Sequence, residues 1–324
     1  MNALTHNSLY GRPDAQHSSR KARVARVKAA MLRAAQDTLD GEGFTQVVAP
    51  LLTSMSGACG EPGTLIPVDL HGRKSYLRQT SQLDLEPLMR ELGRVYSIGR
   101  SFRAERRTDE RHLSEFTLIE AEAAGWGLEE MMALMERLAL DMLHRAARSA
   151  GEHLAALGMI PDRLLSLKRP FARMTYDEAI VALQGIGHFI EWGEDLSHED
   201  ELALAEMAGG PLFVTRYPVE LRFFTMKVCR DDPRVVKCCD LLLPGVGEVM
   251  GASETEADPD LLERKLVSSR GIRQRLDLGG SAVDYNWYIE MHRQESGQQA
   301  GFGMGFERLV RYACGLKSIS QTVS

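Results

Sequence analysis

Three segments of this 324-residue chain carry side chains whose types and spacing could do chemistry. In FRAE (102–105) an arginine precedes a glutamate by two positions, and after a charged stretch RHLSEF (111–116) adds His112, Glu115 and Phe116. On a strand, Arg103 and Glu105 share a face. An inward arginine needs an anionic partner, and phosphate suits its planar fork. In GFGMGFER (301–308) three alternating glycines keep one strand face bare for a flat ligand, and Arg308 opens a helix where it could meet a phosphate or stack on a base. In CDLLLPGVGEVMGAS (239–253), Asp240 and Glu248 flank a Pro-Gly turn. Two such carboxylates suit Mg²⁺, which fills the rest of its shell with phosphate oxygens and water. Taken singly, the same segments also describe an Arg-Glu pair on a hairpin, a glycine-rich strand under a helix, and two solvated acids.

The elements that must position these groups can be read from periodicity. Val24, Val27, Ala30, Met31, Ala34, Ala35 and Leu39 fall at helical spacing, so 19–40 is an amphipathic helix, ended by Gly41 and Gly43. FTQVVAPLLT reads as a strand broken at Pro50, SYLRQ as a strand, SQLDLEPLMREL as a helix, and VYSIGRSFRAE and HLSEFTLIEAEAA as strands joined by the polar RRTDER. A helix with methionines on one face spans Leu128–Ala150. PLFVTRY, LRFFTMKV, VVKCCDLLL and GEVMGAS read as strands, and a helix follows near 258–277. This order predicts an α+β domain built on one mixed or antiparallel sheet. Residues 1–18 are expected to form a flexible leader and 19–324 one catalytic domain with a helical insertion at about 151–212.

Bulk properties narrow the partners. Thirty-nine basic against 45 acidic residues give a formal charge of -6, so no global basic field grips nucleic acid. Five cysteines without CxxC spacing argue against a disulfide framework or a zinc site and fit a reduced cytoplasm. Cys238 and Cys239 read as buried apolar residues rather than nucleophiles, and His292 as a surface residue at a helix end. No run has the length of a membrane span.

In order, and along most of residues 20–316, the segments resemble the three signature motifs of the class II aminoacyl-tRNA synthetases: the Pro50 segment, FRAE with RHLSEF, and GFGMGFERL. YLRQTSQLDLE, RHLSEFTLIEAE, NWYIE and DLLLPGVGEVMGA are most similar to the aspartyl/asparaginyl branch, and within it to stand-alone archaeal-type asparagine synthetases without an anticodon-binding domain. The resemblance implies a class II antiparallel sheet flanked by helices, a homodimer, and use of ATP with Mg²⁺ to make an aminoacyl adenylate. It implies that Arg103 holds the α-phosphate, Glu105 reads the adenine edge, and Phe116 and Arg308 stack on either side of it. His112 and Arg308 would steady pyrophosphate, with Asp240 and Glu248 on the metal. Gln82, Glu120 and Thr80 would meet the substrate ammonium.

Departures from the branch bear on specificity. Leu85 stands where aspartate-activating relatives carry a lysine, as in the asparaginyl relatives. Thr255, beside Glu254, stands where the branch places a carboxylate-binding arginine, and a hydroxyl does not replace a charged fork. Glu61 in SGACGEPGT stands for the acidic loop over the amino acid, and after Leu316 the charged segment of the relatives reads SIS. With the first motif already at Pro50, no oligonucleotide-binding barrel is expected. The expectation is therefore a ligase passing an activated amino acid to a non-tRNA acceptor: ammonia, an amine or a carrier. The alternatives are a non-catalytic paralogue regulating a partner, and a truncated enzyme charging a tRNA end.

Overall fold

The computed structural model describes residues 15–54, 64–104, 112–268, 285–295 and 297–323. Glu61, Glu105, Cys59, the loop 106–111 and most of the leader lie outside the described residues.

The centre of the molecule is an eight-stranded sheet in the order β1-β5-β6-β11-β10-β9-β8-β7. Its strands are β1 (Thr45–Gln46), β5 (Arg94–Phe102), β6 (Glu115–Ala124), β7 (Ala172–Thr175), β8 (Leu212–Thr215), β9 (Cys238–Leu243), β10 (Gly247–Glu254) and β11 (Gln299–Gly305). The outer pairs β1–β5 and β7–β8 are parallel, and the intervening pairs are antiparallel. The expected α+β class holds, with a mixed sheet. A small sheet of β2 (Leu52–Thr53), β3 (Ile66–Leu70) and β4 (Arg73–Leu77) stands beside it.

Strand alternation divides the large sheet into two faces. Tyr96, Ile119, Ala121, Phe302, Met304, Met250, Ala252, Cys239 and Leu241 point to one side. They join the main core with α1 (Ala15–Gly41), α3 (Leu128–Ser149) and the helix after β11. The methionines Met131, Met132, Met135 and Met142 are part of this core. On the opposite face α2 (Gln82–Leu92) packs on β5 and β6, while α7 (His198–Met207) packs on β9 and β10. The middle of that face is left as a trough between the two helices.

Residues 151–212 contain α4 (Gly151–Ala156), α5 (Pro161–Leu165), α6 (Tyr176–Gly185) and α7, and also β7 and the start of β8, which extend the sheet. Two expected strands are corrected. FTQVVAPLLT forms only β1 and β2, because Pro50 lacks the N–H a continuous ladder requires. LRFFTMKV starts at the last residue of a 3-10 turn, Val219–Leu221, and then makes only isolated bridges, from Met226 to Thr255 and Val228 to Val236. Its neighbouring side chains are drawn to different buried partners, Arg222 to Asp240 and Phe224 to Tyr285 and Tyr288.

Candidate active site

The trough is floored by glycine. Gly301, Gly303 and Gly305 of β11 share the face of Glu122, Glu120 and Leu118 across the β11–β6 ladder, and Gly251 of β10 pairs with Gly303. One row across the sheet therefore reads Ser97, Glu120, Gly303, Gly251, Asp240.

A side chain added at each glycine would show what stands over the floor. At Gly303 it would meet nothing within 4 Å, so the centre is open. At Gly251 it would lie 3.2 Å from Asp240 Oδ1 and 3.5 Å from Glu248 Oε1, so the two carboxylates converge on one point. At Gly305 it would touch the Arg308 stem at 3.5 Å, and at Gly301 it would fall on the Glu122 carboxylate, 2.2 Å from Oε2. The glycines thus leave room for a flat ligand, with three carboxylates and an arginine at its rim.

After β10 comes α8 (Pro259–Ser268); at the Arg308 end of the trough, α9 (Asn286–Gln294) precedes β11, and α10 (Phe306–Cys314) follows it directly. Glu307 accepts from Thr117 N at 2.8 Å and Thr117 Oγ1 at 3.0 Å, tying the start of α10 to β6 and setting Arg308 over the trough. Gly315, with φ of 59°, stops this helix in the left-handed region, where its missing Cβ also makes room for Met159. Arg308 Nη1 donates to the Glu248 carbonyl at 2.7 Å and to Glu248 Oε2 at 3.0 Å. Burial alone would push the Glu248 carboxyl up, but Arg308, then Arg222 and Arg103, hold it below the usual range.

Asp240 differs: burial lifts it to about 7, with Glu248 adding to the rise, against the pull of Arg222. Arg222 Nη2 lies 2.5 Å from Asp240 Oδ2, and its guanidinium sits 3.7 Å above the Tyr217 ring. Arg103 follows the end of β5 rather than standing within it, and its guanidinium carbon lies 5.4 Å from the Phe116 ring centroid. His112 lies in the segment entering β6.

At the other end, Glu120 is surrounded by the turn into α2. Ser81 N donates to its Oε2 at 2.9 Å, and the hydroxyls of Thr80 and Ser81 also donate to the carboxylate. Gln82 Nε2 donates to Glu86 Oε1 at 2.7 Å, one helical turn on. Leu85 is fully buried against Met89 and Val95 in the contact between α2 and the sheet. Thr255, also buried, donates its N–H to the Gln299 carbonyl at 2.9 Å. Beside it, Glu254 accepts from both Lys227 at 2.5 Å and Lys237 at 2.9 Å.

Arg103, Phe116, Glu120, Asp240, Glu248 and Arg308 thus stand around one trough, with Thr80 and Gln82 at its α2 end. Several groups escaped the sequence reading. Glu86 and Glu122 were legible in principle, Glu86 one helical turn after Gln82 and Glu122 one strand repeat after Glu120. Arg222 was hidden in a segment read as strand. His292, expected at the surface, is 1% exposed, because α9 turns it inward beside Tyr288. Cys238 and Cys239 are buried as expected, and burial pushes the Cys238 thiol up to about 11. Among the described residues no helix is long and apolar enough to cross a membrane.

Residues 14–324 match the family of tRNA synthetases class II (D, K and N). The chain is 35% identical to an asparagine–tRNA ligase of Desulforamulus reducens, covering 94% of this chain and 68% of that protein. It is 36% identical to the asparagine–tRNA ligase of Thermococcus kodakarensis, over 93% and 68% respectively. Its fold matches that of asparaginyl-tRNA synthetase from Pyrococcus horikoshii complexed with asparaginyl-adenylate, with a TM-score of 0.87 and 34% identity over 94% of this chain and 68% of the other. These relatives are named for tRNA aminoacylation, which overturns the expectation of a non-tRNA acceptor. That expectation rested on the changed pocket residues, which do not bear on where the acyl group goes.

Proposed function

Because the chain belongs to the class II tRNA synthetases of the D, K and N group, a family of ATP-dependent amino acid ligases, we propose that it activates an amino acid as its adenylate and passes the acyl group to the 3′ end of tRNA. The observation that carries the first step is the open floor at Gly303, bounded by Glu120 at one end and by Asp240, Glu248 and Arg308 at the other. In this reading a substrate carboxylate oxygen attacks the α-phosphorus of ATP. A new P–O bond forms as the bond to the β-phosphate oxygen breaks, and pyrophosphate leaves. A terminal ribose hydroxyl of tRNA then attacks the acyl carbon, giving up its proton as AMP departs.

Within that scheme Arg103 and Arg308 offset charge developing on phosphate, an electrostatic effect already in place before reaction. Phe116 and the glycine floor hold the purine. Glu120, with Thr80 and Gln82 beside it, receives the α-ammonium. The convergence of Asp240 and Glu248 over Gly251 fits a divalent cation, and the Asp240 carboxyl is raised first by burial and further by Glu248. These two residues would hold Mg²⁺, which neutralises phosphate charge when bound. The exposed apolar residues Val48, Leu51 and Leu52 around Pro50 offer a surface that a second copy would cover in a homodimer.

The tRNA step is tested by incubating the chain with ATP, labelled amino acids and unfractionated tRNA. Acid-precipitable, base-labile label is expected, and periodate oxidation of the tRNA should abolish it. Adenylate formation without labelled tRNA for any amino acid would remove the assigned acceptor.

A further inference from the structure

Glu248 reaches the trough because β10 breaks its own alternation. Gly251 faces the trough, so an unbroken strand would point Val249 the same way and Glu248 into the core. The register with β9 shifts between Glu248, opposite Leu242, and Met250, opposite Leu241. The extra residue, Val249, forms a bulge that turns into the core together with Met250, and Glu248 takes the trough side. A bulge disrupts the ladder around it, and the β10–β11 register ends at Met250. Side chains from two helices hold the Glu248 peptide at this point. Arg308 of α10 donates to its carbonyl at 2.7 Å, and Glu201 Oε2 of α7 accepts its N–H at 3.1 Å.

The first turn of α7 fixes where Glu201 stands. Ser197 Oγ accepts from Asp200 N at 3.2 Å, and Asp200 Oδ2 accepts from Ser197 N at 2.8 Å, a reciprocal cap. His188 Nδ1 lies 2.6 Å from Asp200 Oδ1, which ties this turn to the segment after α6. Three residues beyond Glu201, Leu204 is buried in one core with Leu242, the residue opposite Glu248. Gly247 completes the fit. A Cβ there would fall on Glu201 Oε2 and lie 2.9 Å from His198 Nδ1, and its φ of 82° is one that glycine adopts without strain.

We infer that Glu201 is a positioning residue for the cation site: its hydrogen bond to the Glu248 N–H sets the bulge, and the bulge aims the Glu248 carboxylate at the point it shares with Asp240. Through this one side chain the helical insertion takes part in the activation site. The role rests on the divalent cation assigned above to Asp240 and Glu248.

Binding of Mn²⁺ to the intact chain with a non-hydrolysable ATP analogue tests it. Water-proton relaxation separates the protein-bound ion from the ion held by the analogue alone. Two variants divide reach from charge: Glu201→Asp keeps the charge and withdraws it by one methylene, whereas Glu201→Gln keeps the reach and an acceptor oxygen without the charge. Glu201→Asp should weaken Mn²⁺ binding by about tenfold or more, the scale of losing a group that orients a metal ligand. Glu201→Gln should retain most of the affinity. The Mg²⁺ concentration for half-maximal pyrophosphate exchange should rise with Glu201→Asp, with KM for the amino acid unchanged. A packing role would lower the melting midpoints and leave the Mn²⁺ affinity of the folded chain as it was, which would overturn the inference. So would any result that places Glu201→Asp level with or above Glu201→Gln. If the wild-type chain binds no Mn²⁺, the cation assignment fails, and deuterium exchange at the Glu248 amide decides the contact separately. Faster exchange in Glu201→Asp than in Glu201→Gln and wild type upholds the hold on the bulge; equal rates overturn it. Binding and deuterium exchange need no turnover, so they stand apart from whether the chain activates an amino acid.

Discussion

Replacing Gly303 with valine is expected to lower amino-acid-dependent pyrophosphate exchange by about a hundredfold or more, the cost of displacing a reacting ligand by an ångström or so. The fold should be untouched. A side chain built on Gly303 meets nothing within 4 Å, and the residue does not occupy the left-handed backbone region. Its opposite face is formed by the buried neighbours Phe302 and Met304, which the substitution does not disturb. Valine favours strands over glycine, so the melting midpoint should stay the same or rise. Loss of exchange together with loss of stability would show that the position is a packing site. Unchanged exchange would show that the nucleotide lies elsewhere.

Arg308→Ala is expected to reduce kcat for exchange by about 10²–10³, the magnitude seen when one preorganised charge-stabilising donor is removed. The arginine anchors two oxygens of Glu248, so its removal also frees a carboxylate that helps to form the cation-binding point over Gly251. Arg308→Lys restores charge without the planar fork and should recover only part of the rate. A change confined to KM for ATP would mean that Arg308 binds the ground state and transition state equally. Rapid-quench measurement of adenylate formation separates the two.

Much of this site was legible before the fold was known because strand and helix periodicities are short. The period of two across GFGMG places Gly301, Gly303 and Gly305 on one face, and the same period applied to IEAE places Glu120 and Glu122 together. Arg308 after that strand and the Asp240–Glu248 hairpin followed from local pattern as well. The unread part depends on contacts between elements far apart in sequence. Nothing near Arg222 marks it as the partner of Asp240, since the pair joins a turn to a strand 18 residues away. His292 sits on a short helix whose polar composition suggests exposure, and only the packing of α9 against α2 and β11 buries it with Glu86. Thr255 and Leu85 mark departures from the aspartyl pattern, yet in the fold Leu85 belongs to an apolar contact with Met89 and Val95.

The acceptor shows the limit of reading function from the site alone. In the proposed reading the trough activates a carboxylate, but the group that later takes the acyl chain is not written into its floor. Similarity over 94% of the chain to asparagine–tRNA ligases redirects that assignment.

The most direct measurement is incorporation of labelled pyrophosphate into ATP by the purified chain, with Mg²⁺ and an amino acid panel and without tRNA. The structure predicts incorporation that requires an amino acid and disappears in the Gly303→Val and Arg308→Ala proteins. A folded wild-type chain that incorporates no label with any amino acid would contradict the claim that this trough makes aminoacyl adenylates.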